Sequence, residues 1–151
     1  MVKRTRLAAI VIGVLGTCLG CGDRPPPGTA APAPAPSMED AVRARLTELL
    51  ALAEKGDAAA AAGYVVYRGP DEARKWKDVC DYTKDPEKTQ VDSVLRRIAE
   101  IRKAGPLVPD GFERKTEGEG EWLALKYKAG DKPVLFAFLA VKGTYALGDI
   151  D

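Results

Sequence analysis

The stretch Gly120–Asp151, GEWLALKYKAGDKPVLFAFLAVKGTYALGDID, decides the fold. In Glu121–Lys128, Leu123, Leu125 and Tyr127 fall on one side of an extended chain, and Trp122, Ala124 and Lys126 fall on the other. That is the period of two of a β-strand. Val134–Lys142 is apolar through Val141, so it is expected as an inner strand buried on both faces, with helices covering one of them. Pro133 stands at its first position, where a missing N–H costs the ladder nothing. Thr144–Ile150 alternates again, with Tyr145, Leu147 and Asp149 against Ala146, Gly148 and Ile150. Tight turns at Ala129-Gly130-Asp131-Lys132 and Lys142-Gly143 join the three strands into an antiparallel meander.

Upstream, a strand is expected over Phe112–Thr116, entered from Pro109-Asp110-Gly111 and left through the turn Glu117-Gly118-Glu119-Gly120. Before it the period is helical. Ser37-Met38-Glu39-Asp40 has the form of a capping box, Val42, Leu46, Leu49, Leu50 and Ala53 recur along one face, and Lys55-Gly56 closes the helix. Asp57 caps a short second helix running to about Tyr67, stopped by Gly69-Pro70. A third is expected from Asp71 to Tyr82, with Ala73, Trp76, Val79 and Cys80 on one side. Its charge run Asp71–Lys77 then reads as a solvent-facing surface laced with i,i+4 pairs. Asp85-Pro86-Glu87 supplies cap, first-position proline and acid for a fourth helix, with the stripe Val91, Val94, Leu95, Ile98 and Ile101 and a stop at Gly105-Pro106. Helices first and a meander last give an α+β domain, its N-terminal helices packed on one face of a curved antiparallel sheet formed by the C-terminal strands.

The 151 residues suit one domain. The net charge of +1 conceals an asymmetry, because Lys3, Arg4 and Arg6 precede every acidic residue. Residues 22–151 carry 20 basic side chains (23 less those three) against 22 acidic ones, a net of −2. So balanced a body offers no field for nucleic acid, and no nucleic-acid partner is expected. Histidine is absent. Ser-His-Asp and Cys-His nucleophile pairs and imidazole metal sites are therefore excluded, leaving carboxylates, Lys, Tyr and thiol.

Residues 1–20 are laid out as a secretory signal: a basic start, then thirteen uncharged residues, Leu7–Leu19, short of the roughly twenty needed to span a bilayer. The run ends in Thr17-Cys18-Leu19-Gly20-Cys21-Gly22. This resembles the lipobox of a bacterial lipoprotein, whose cysteine is lipidated and becomes the mature N-terminus. Cys21 is the expected lipidation site and Cys18, after Leu15-Gly16-Thr17, is the competing frame. Residues 21–37 then form a tether containing Pro25, Pro26, Pro27, Pro32, Pro34 and Pro36, a composition that favours polyproline II and builds no core. At ~3.1 Å per residue its segment Gly22–Pro36 reaches up to roughly 45 Å. The implied partner is a membrane held through the lipid anchor, and the implied location is the bacterial cell envelope, facing the periplasm or exterior.

The opening helix followed by Lys55-Gly56-Asp57-Ala58-Ala59-Ala60, together with the closing strands ending Gly143-Thr144-Tyr145-Ala146-Leu147-Gly148-Asp149-Ile150, resembles the NTF2-like (SnoaL-like, cystatin-like) superfamily over most of residues 38–151. Tyr145 stands where Trp is common in that family. The resemblance implies a sheet curled around a cone-shaped pocket, in which some members use a carboxylate for proton transfer. Such chemistry needs a desolvated acid beside a donor. The acids in question are Asp78, Asp81, Glu121 and Asp149, and the donors are Tyr64, Tyr67, Tyr127 and Tyr145; no sequence signature pairs them. The expectation is a non-catalytic binding or scaffold domain without cofactor, holding an envelope protein or a small apolar ligand on the concave face. The alternative is a pocket-carboxylate isomerase or hydrolase. Cys80 is expected as a small buried residue. Glu117, Glu119 and Glu121 are read as a solvated edge and not as a metal site.

Overall fold

A computed structural model describes residues 36–118 and 120–151. Helix α1, Met38–Lys55, begins as its sequence dictates. The Ser37 hydroxyl accepts from the Asp40 N–H at 3.1 Å, and the Asp40 carboxylate accepts from the Ser37 N–H at 3.2 Å. Gly56 ends the helix in the left-handed conformation. Asp57 caps α2, Ala58–Ala61, which tightens into a 3-10 turn at Ala62–Tyr64 and stops well short of Tyr67. Helix α3, Asp85–Ala104, is the expected fourth helix shifted by one position, with Lys84 at its N-cap and Asp85 and Pro86 inside its first turn.

Four antiparallel strands follow: β1 (Leu107–Glu117), β2 (Gly120–Ala129), β3 (Lys132–Val141) and β4 (Thr144–Ile150), in spatial order β1-β2-β3-β4. The sheet is curved and the helices lie on one face of it. Strand β1 is longer than its alternation announces. Pro109-Asp110-Gly111 is absorbed as an irregularity in the β1–β2 register and not spent on a turn. Proline and a bulge are tolerated there because β1 is an edge strand.

The helix-covered face carries the core. Leu123 and Leu125 of β2, Phe136 and Phe138 of β3 and Leu147 of β4 pack against Val42, Leu46 and Leu49 of α1 and Val91 and Ile98 of α3, every one of them at most 1% exposed. Burying a side chain of this size contributes about 1.5–3 kcal/mol, so this layer dominates the stability.

The expected third helix over Asp71–Tyr82 does not form. One turn starts, with the Asp71 carboxylate accepting from Ala73 N–H and the Asp71 carbonyl accepting from Arg74 and Lys75 N–H. It fails to propagate because tertiary partners claim the next backbone groups. Tyr67 N–H donates to Asp78 O, Trp76 N–H to Tyr67 O and Cys80 N–H to Val65 O, at 2.8–3.0 Å. Val66 bridges Val79 antiparallel, while Val65 bridges Leu147 parallel at the outer edge of β4. The segment is thus a folded loop stitched beside β4. Through Trp76 and Val79 it covers one end of the helix-free face, over Leu139, Val141, Ala146 and Trp122.

Candidate functional site

Strand register builds an open trough on the helix-free face. Glu113 of β1, Ala124 of β2, Ala137 of β3 and Asp149 of β4 form one cross-strand row. Paired residues share a face, so the two small alanines make a depressed floor with a carboxylate at each end. The next row toward the β2–β3 turn adds Leu135, paired with Asp151. On the other side stands Trp122. The resulting open cleft has a volume of about 470 Å³.

Trp122 is held from three directions. The edge of its ring abuts Gly148, where a Cβ would come within 2.6 Å of ring carbon Cζ3. Its Nε1–H donates to the Glu117 carbonyl at 3.2 Å, and Trp76 meets it edge to face at 5.7 Å. Trp76 itself has φ 63, a left-handed conformation that costs a bulky residue about 1–3 kcal/mol and persists only where surroundings fix it.

A second polar centre lies at the start of α3. The Arg74 guanidinium donates to both carboxylate oxygens of Glu87 (2.6 and 3.0 Å), to Asp78 Oδ2 (2.9 Å) and to Val79 O (3.1 Å), and it stacks on the Tyr67 ring at 4.3 Å. Glu87 also accepts from Asp81 N–H at 2.6 Å and is only 4% exposed. Arg74 holds the Glu87 carboxyl below the usual carboxylate range against the opposing effect of burial. Lys142, whose ammonium sits 2.8 Å from Asp78, and then Arg74 hold the Asp78 carboxyl down to about 2. Cys80 is buried as expected, though on the loop and not on a helix. Burial, aided by the nearby Glu87 charge, pushes its thiol up to about 12, which makes it a poor nucleophile at neutral pH.

No family model matches the chain, and no curated protein or solved structure matches it. The site therefore rests on its own geometry.

That geometry does not join the acids to the tyrosines. Asp78 pairs with Arg74 and Lys142, Asp81 with Thr83 and Lys84, Glu121 with Arg114, and Asp149 with Arg68. Among the tyrosines, Tyr64 donates to Glu48, Tyr67 accepts from Asp71 N–H and Tyr127 accepts from Arg43. Glu117 pairs with Lys115, Glu119 lies outside the described residues, and no metal-holding cluster occurs among the described residues. Cys18 and Cys21 also lie outside them. Two groups were not legible in the sequence: the Arg74–Glu87 pair, whose Arg74 reads as one of a solvated charge run and whose Glu87 reads as a first-turn helix acid, and the Ala124/Ala137 floor. The spacing Trp122-x-Ala124 facing Leu135-x-Ala137 announces the floor once the β2–β3 register is known.

Proposed function

We propose that the chain is a lipid-anchored extracytoplasmic binding module of the bacterial cell envelope, a non-catalytic NTF2-like domain (38–151) carried on the tether 21–37. The observation that carries the binding reading is the solid interior. Where the pocket-carboxylate reading needs a cavity with a desolvated acid, Phe136, Phe138, Leu123 and Leu125 close against α1 and α3. A general acid working near neutral pH needs a raised pKa. The buried acid Glu87 has the opposite, a lowered one, because Arg74 neutralises it. The isomerase or hydrolase alternative therefore gains no support. Helices first, then a curved meander with the helices on one face, support the NTF2-like assignment. Basic start, apolar run and Leu19-Gly20-Cys21 support the anchor. With the helix-covered face filled, the partner, an envelope protein or a small apolar ligand, is received on the helix-free face.

The deciding experiment is a mass spectrum of the protein extracted from membranes of its native cell. A mature N-terminal peptide beginning at Cys21 and carrying acyl mass is expected. Cys21→Ser is expected to abolish that mass and release the folded domain from the membrane fraction. Membrane association unchanged in Cys21→Ser but lost in Cys18→Ser would move the anchor to Cys18. An unmodified mature terminus elsewhere would sink it.

A further inference from the structure

We propose that the trough on the helix-free face binds an elongated organic cation, an apolar body carrying an ammonium or guanidinium group, an assignment that rests on the binding-module reading. The floor is apolar and shallow because Ala124 and Ala137 face each other across β2 and β3 between larger neighbours. Glu113 and Asp149 terminate that row three strand spacings apart, about 14 Å between their α-carbons at ~4.8 Å per strand. Glu117 and Asp151 bring the lining to four carboxylates, against the ammonium of Lys115 in the lining and Lys126 and Arg68 at its rim, an excess of one negative charge. A volume of about 470 Å³ lies within the range of small-molecule sites.

Three of the four acids have surface ion pairs: Glu113 with Lys126, Glu117 with Lys115 and Asp149 with Arg68. Asp151 has none among the described residues. Exposed pairs of this kind are worth only ~0–1 kcal/mol, so an entering ammonium displaces a lysine head at little cost. Trp122 adds an apolar wall against which the body of such a ligand packs. Because Gly148, Trp76 and the Glu117 carbonyl already fix that ring, binding orders little that is not ordered beforehand. An anion of the same shape meets four carboxylates against three paired cations and is bound less tightly.

The test uses the full chain in phospholipid nanodiscs and titration calorimetry with three probes of matched shape: 4-phenylbutylammonium, 4-phenylbutanol and 4-phenylbutyrate. Empty nanodiscs correct for partition into lipid. The ammonium is expected to bind at least about tenfold more tightly than the carboxylate, ~1.4 kcal/mol. Ala137→Leu, which fills the floor from the side away from the core, is expected to remove saturable binding. The pair Glu113→Gln and Asp149→Asn, both at exposed positions, is expected to bring ammonium affinity toward that of the alcohol, with Glu117 and Asp151 keeping a remainder of the preference. This pair carries the test if Ala137→Leu loses its circular dichroism. Equal binding of all three probes, lost in Ala137→Leu, overturns the cation assignment and leaves the binding module standing. Heats that are absent, or unaffected by both variants, overturn the trough itself without touching the Cys21 anchor, which the mass spectrum decides independently.

Discussion

Single residues set the wall of the trough. Gly148 sits against the edge of Trp122 on a backbone that any residue adopts, so the requirement for glycine is one of space, and the nearest atoms belong to a rigid ring. Gly148→Ala is expected to push the indole off the sheet and weaken its contact with Trp76. The loss is about 1–3 kcal/mol, in the range of overpacked sites, read as a lower urea midpoint together with a change in the near-ultraviolet tryptophan bands. An unchanged midpoint and spectrum would show that the ring does not rest on Gly148. Nothing in the run Ala146-Leu147-Gly148-Asp149 gave this away. A lone glycine in a strand signals a bulge or a close approach, and which side chain approaches depends on β2, two strands away across β3. Arg74 was hidden for a similar reason. In Asp71-Glu72-Ala73-Arg74-Lys75-Trp76-Lys77 it is one of three cations, and what separates it from Lys75 and Lys77 is the Glu87 carboxylate thirteen residues onward. Local pattern carries no such information.

At the scale of elements, those whose partners lie close in sequence were legible. Strands β2, β3 and β4 fall within a residue or two of their alternation because hairpin turns of two residues fix the register. At the β3–β4 turn Lys142 and Gly143 both have positive φ, the geometry that matches strand twist. Helices α1 and α3 were legible from apolar stripe and caps. The loop between α2 and α3 was not, because its helical spacing of Ala73, Trp76, Val79 and Cys80 is real but loses to the ladder with Val65–Tyr67. Arg74 secures this arrangement by fastening the loop to α3. Arg74→Lys retains the charge but not the fork that engages both Glu87 oxygens, Asp78 and the Val79 carbonyl together. Hydrogen exchange in this variant is expected to speed by about ten- to a hundredfold at Tyr67 and Cys80, equivalent to ~1.4–2.8 kcal/mol of local stability. The amides paired between β2 and β3 should stay as slow as before. Uniform acceleration everywhere would mean that Arg74 stabilises the whole fold and not the loop alone.

For the molecule as a whole, the same ion network ties three elements together, and its charge states predict how stability responds to pH. Lys142 of the β3–β4 turn, Asp78 and Arg74 of the loop and Glu87 of α3 form one connected set. Both carboxyls in it titrate lower in the folded chain than they would unfolded, Asp78 at about 2 and Glu87 below its usual value. A carboxyl with a depressed folded pKa contributes stability that is fully present above its unfolded pKa and is lost as pH falls through the folded one. The loss is therefore expected to begin near pH 5 and continue to about pH 2. The exposed pairs along β1 add little to this slope. Toward neutrality the curve should be flat, for a compositional reason: there is no histidine, and the Cys80 thiol titrates only near about 12. Urea midpoints measured from pH 2.5 to pH 8 are thus expected to hold level above about pH 5.5 and fall steeply below it. Asp78→Asn should flatten part of the fall while lowering the plateau. A transition centred between pH 6 and 8 would require a titrating group that these residues do not supply. A midpoint constant down to pH 2.5 would show that the network adds nothing to the fold.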